Sequence, residues 1–150
     1  MAISGTNNNT PTTAPMSNVT SAGQVNESTF NFTMVNLTEF SENHPINPKT
    51  GFDISQAASG KNASTNLVQA APGSIIKMHY HKYRDEIAYI IKGEAIFTVS
   101  GKNYTAKAGD LMYIPALTLH RVAIIGNETL QTVSTFAPPF DGNDRIYVEP

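Results

Sequence analysis

Residues Gly73 to Gly93 read GSIIKMHYHKYRDEIAYIIKG, with His79 and His81 one residue apart and Glu86 five positions further on. On an extended strand alternate side chains share a face, about 6.5–7 Å apart, so the two imidazoles line one wall. The polar stretch Lys82-Tyr83-Arg84-Asp85 is long enough to turn the chain and bring the Glu86 carboxylate back. His120 offers a third imidazole from another strand-like run. Three neutral ring nitrogens and one hard oxygen suit a divalent transition metal (Fe, Mn, Ni, Cu, Co or Zn), with one or two positions left for water or a ligand. A His-x-His pair alone marks a polar strand face more often than a metal. Cysteine is absent, so thiolate ligands, disulfides and a thiol nucleophile are excluded.

The elements that must position these groups are strands. From Asn66 onward, short apolar runs alternate with turn signals: LVQAAPG, SIIKMHYH, three runs within EIAYIIKGEAIFTVSGKNYTAKAG, then LMYIPALTLHRVAII and LQTVSTFAPPF. Breaks fall at Lys92-Gly93, at Ser100 to Asn103 and at Gly126-Asn127. No window of ten or more residues keeps a 3.6-residue apolar stripe, so the spacing predicts an all-β sandwich or barrel. Before this, FNFTMVNL (30–37) alternates like a strand, and NHPINPKTGFD reads as a loop. Residues 1–29, rich in Asn, Thr, Ser, Pro and Gly, carry too little apolar surface to order themselves and read as a polar tether. Residues 30–150 are then a single domain.

Gly73, His79, His81, Glu86 and Gly93 stand at the spacing of the first signature of the cupin superfamily, and GDLMYIPALTLH, with Gly109, Pro115 and His120, resembles the second. The chain departs from the pattern at Leu117, where the family usually has glycine, and at Ile124, where asparagine often falls. The resemblance covers Asn66 to Phe136. It implies a double-stranded β-helix, the jelly-roll barrel, with His79, His81, Glu86 and His120 as ligands of one metal ion. Proteins similar in this way include dioxygenases, isomerases, decarboxylases and lyases, and also storage and sensor proteins, so fold and metal do not select the reaction. We expect a dioxygenase or an isomerase/lyase acting on a small oxygen-rich substrate. The alternative is a non-catalytic metal or small-ligand binding module, and a structural zinc or nickel is a third reading. Ile90, Phe97 and Met112 are candidate pocket-lining side chains. Tyr83, Arg84 and Asp85 read as a solvated loop and His44 as a surface histidine.

The net charge of −2 and the lack of a basic block argue against nucleic acid as a partner, and no apolar run is long enough for a transmembrane helix. A homodimer formed through the 30–37 strand is compatible with the pattern. Eight Asn-x-Ser/Thr sites (Asn8, Asn18, Asn26, Asn31, Asn36, Asn62, Asn103 and Asn127) together with the polar tether resemble the stalk of an exported surface protein. The opening Met-Ala lacks the pattern of a signal peptide. We therefore expect an extracytoplasmic protein whose export signal, of lipoprotein type, precedes this sequence; a cytoplasmic Asn-rich protein is the alternative.

Overall fold

Gly93 shows how tightly the strands are joined. Its φ is +81°, and a Cβ there would lie 2.7 Å from the Thr129 carbonyl oxygen and 2.9 Å from Leu130 Cα. Only glycine fits this crossing of two backbones. The computed structural model describes residues 32–148, and Val35–Pro150 fall in one compact unit. The tether read over 1–29 lies outside the described residues.

The described residues hold one helix and ten strands: α1 Leu37–Asn43, β1 Phe52–Ser59, β2 Ser64–Ala70, β3 Ile75–His81, β4 Asp85–Lys92, β5 Glu94–Val99, β6 Lys102–Lys107, β7 Leu111–Ile114, β8 His120–Ile125, β9 Leu130–Ala137 and β10 Arg145–Tyr147. They form two five-stranded antiparallel sheets, ordered β1-β2-β9-β4-β7 and β10-β3-β8-β5-β6. From β3 onward the chain crosses repeatedly between the sheets, the winding of a double-stranded β-helix. The all-β expectation holds.

Alternation puts one face of each strand inside. In β4, Glu86, Ala88 and Ile90 are buried, while Ile87, Tyr89 and Ile91 point out. Val68, Ile76, Ile90, Phe97, Val122, Ile124 and Leu130 belong to one apolar cluster, against which Met112 packs. Fully burying a side chain of this kind contributes about 1.5–3 kcal/mol.

Three expectations fail. Residues 32–36 form no strand, and Phe32 and Met34 are exposed. The Asn36 side-chain oxygen instead accepts from the Thr38 and Glu39 amides at 3.0 and 3.3 Å and starts α1. The dimer edge expected at 30–37 goes with that strand. β1, which begins at the end of the segment read as a loop, and β10 are strands that the residue pattern did not announce.

Candidate metal centre

Strand register assembles the site. His79 on β3 pairs directly with His120 on β8, and the β3–β8 register shifts between Ile76 and His79. That bulge lets Ile76 and His79, three residues apart, both face inward. Glu86 arrives from β4 in the opposite sheet. The three imidazoles are buried, and one ring nitrogen from each lies within 4.8 Å of the other two. Glu86 Oε2 lies 3.4 Å from both His81 Nε2 and His120 Nε2, long for a hydrogen bond and suited to donors facing a shared centre.

The outer edges of the rings are held in place. His79 Nδ1 sits 2.7 Å from the Lys77 carbonyl oxygen and His120 Nδ1 2.8 Å from that of Thr118. A carbonyl only accepts, so both Nδ1 atoms donate and each ring turns its Nε2 toward the centre. Neither ring nitrogen of His81 has a hydrogen-bond partner among the described residues. Its Nδ1 faces the buried Asp144 carboxylate at 3.8 Å. A buried imidazole with an unused nitrogen among three other donors fits a metal of the nitrogen- and oxygen-preferring class.

Electrostatics set the protonation of His79 and Glu86. Burial, reinforced by His120, lowers the His79 pKa from 6.5 to about 3, so its ring stays neutral. Burial alone would raise the Glu86 carboxyl. The approach of His120 and His81, with help from the Ser134 hydroxyl, outweighs burial and holds it well below the usual carboxylate range. A neutral imidazole and an ionised carboxylate are the forms that bind metal.

The loop before Glu86 is not a solvated one, although Tyr83 is exposed. Arg84 is buried, reaching Asp141 at 2.8 Å and Asp144 at 3.0 Å, and donates from Nε to the Pro139 carbonyl at 2.6 Å. Asp85 accepts from the Tyr113 hydroxyl at 2.6 Å and the Ala116 amide at 2.9 Å. Together these clamps fix where the chain turns and so where Glu86 points. Phe136 and Phe140 close on the His81 ring, with centroids 4.9 and 5.8 Å away.

A cavity of about 30 Å³ adjoins the cluster, its lining including His79, Glu86, Phe97, His120, Thr132 and Arg145. Of the pocket residues read from the sequence, Phe97 lines it. Ile90 and Met112 do not: Ile90 has the right parity but lies in the apolar cluster, and Met112 packs against that cluster. His44 stands apart, stacked on Phe40 at the end of α1. Asp144 and Arg145 were missed, because no spacing ties them to the histidines; the two acids and one arginine crowded into DGNDR were the only available signal.

This architecture and donor set define the class: a double-stranded β-helix with a histidine-rich centre between its sheets. Residues 66–136, a little under half of the chain, match the family model described as a cupin domain and form a small domain of the cupin superfamily. An uncharacterized protein of Methanocaldococcus jannaschii is 34% identical over 77 residues, 51% of this chain and 62% of that one. An oxalate-binding protein of Thermotoga maritima is 37% identical over 60 residues, 40% of this chain and 50% of its own length. The match thus spans less than two thirds of either relative. Among solved structures, an uncharacterized protein with a double-stranded β-helix domain from Klebsiella pneumoniae has a TM-score of 0.65 and 24% identity, covering 80% of this chain and 100% of that one. That likeness is one of fold.

Proposed function

We propose that this cupin holds one divalent transition metal through His79, His81, Glu86 and His120 and acts on a small oxygen-rich ligand, as a dioxygenase or an isomerase/lyase. The observation that carries the reading is the orientation of the rings: the backbone carbonyls of Lys77 and Thr118 take the Nδ1 protons of His79 and His120, leaving ring nitrogens free toward a shared centre. When bound, such a metal supplies Lewis acidity to ligand oxygens. Glu86 contributes the negative charge, His79 stays neutral, and Phe136 and Phe140 exclude water behind His81. The oxalate-binding relative supports a ligand of this chemical class.

A binding module without turnover is the second reading. It is favoured by the cavity's size and by its lining, in which Glu86 is the only carboxylate among the described residues. Elemental analysis of the purified protein tests the metal, and an oxygen-uptake and product screen with small keto acids, diketones and dicarboxylates separates the readings. Stoichiometric metal with turnover supports the enzyme, metal without turnover supports the module, and a protein that takes up no metal defeats the enzyme and the metal-binding form of the module.

A further inference from the structure

Arg145 carries an unanswered charge. It lies on β10, directly opposite His81 in the antiparallel register, and paired residues on neighbouring strands share a face. Its side chain lines the same cavity as His79, Glu86 and His120. Nε is buried with no hydrogen-bond partner, the guanidinium carbon stands 5.4 Å from the centre of the Phe140 ring, and among the described residues no carboxylate forms an ion pair with it. The contrast with Arg84 is instructive, since that guanidinium is matched by both Asp141 and Asp144.

The residue as a whole is half-buried, with Nε its one buried nitrogen that lacks a partner. The one carboxylate lining the cavity, Glu86, already faces His81 and His120. A divalent ion held by Glu86 and neutral imidazoles leaves the centre positive, and Arg145 adds to that charge. Thr132 contributes a buried hydroxyl, also without a partner, to the same lining. A guanidinium fork matches a planar carboxylate.

We propose that Arg145 is the specificity-determining residue of this site and that it selects a small carboxylate anion, one carboxylate group spanning the metal position and the guanidinium. The proposal rests on the metal-dependent reading above and adds the charge of the ligand and the residue that reads it.

The test uses protein loaded with Mn²⁺ or Co²⁺, its metal content measured, then titrated calorimetrically with formate and oxalate and with the uncharged formamide and oxamide. The wild type should bind the carboxylates at least about 10-fold more tightly than the amides. Arg145→Gln should keep the metal and lose about 10- to 100-fold in carboxylate affinity, with Arg145→Lys between the two. Equal binding of amide and carboxylate by the wild type, which needs no variant to fold, overturns the proposal. So does an unchanged carboxylate affinity in R145Q that retains full metal. Failure of the wild type to take up metal removes the underlying reading as well, and the metal measurement tells the two failures apart.

Discussion

Stability of the metal-free protein should fall between pH 7 and pH 5 by an amount that depends on His79 and that a substitution there removes. The folded protein holds this imidazole neutral down to about pH 3, whereas the unfolded chain protonates it near 6.5. Below 6.5 the unfolded state therefore binds the proton and the folded state does not, so stability is lost as pH falls through this window. Each unit of separation corresponds to about 1.4 kcal/mol. Going from pH 7 to pH 5 should cost about 2 kcal/mol, a figure that depends hardly at all on how far below pH 5 the folded value lies. Glu86 has the opposite chemistry: its lowered pKa gives stability present above its ordinary 4.5 and lost only below that value, so stopping at pH 5 keeps it out of the measurement. Urea unfolding of chelator-treated wild type and His79→Gln at both pH values is the assay. The wild type should lose about 2 kcal/mol more than the variant. Equal losses in the two proteins would refute the claim that burial keeps this ring neutral.

Other perturbations test the supports of the site and the frame around it. Asp144→Asn, which removes the carboxylate facing His81 Nδ1 at 3.8 Å, should weaken Zn²⁺ or Co²⁺ binding about 10- to 100-fold in competition with a chromophoric chelator. Leu117 sits at φ +65° and is exposed, so Leu117→Gly should relieve a left-handed strain at little packing cost and raise stability by about 0.5–1 kcal/mol in urea. Gly93→Ala should destabilise the fold by at least about 2 kcal/mol, since the added methyl meets the Thr129–Leu130 backbone at a positive φ; a variant as stable as the wild type would contradict the close approach of Gly93 to Leu130.

The strands from Asn66 to Phe136 were legible because their information is local: two-residue alternation, with glycine or proline at the breaks. The edges were not. Most of β1 is half-buried without alternation, so no period existed to read. β10 is three residues long and owes its place to pairing with β3, a tertiary fact. α1 buries no residue and depends on the Asn36 cap, whose signal the apolar-polar alternation of FNFTMVNL obscured. At the site, the spacing of the histidines and Glu86 picked out four side chains that the fold brings close together. Arg84 was misjudged because its partners Asp141 and Asp144 lie more than fifty positions away, and Asp144 and Arg145 are far from the histidines in sequence for the same reason. Ile90 shows the limit of parity, which tells inside from outside but not height along the barrel.

The donors come from both walls of the barrel, imidazoles from one sheet and the carboxylate from the other. An ion bound among them, as proposed above, would rivet the two layers at this end, while the apolar cluster around Ile90 and Leu130 packs the interior elsewhere. On the proposed reading, removing the ion would loosen β4 from the β3–β8 pair at this end first.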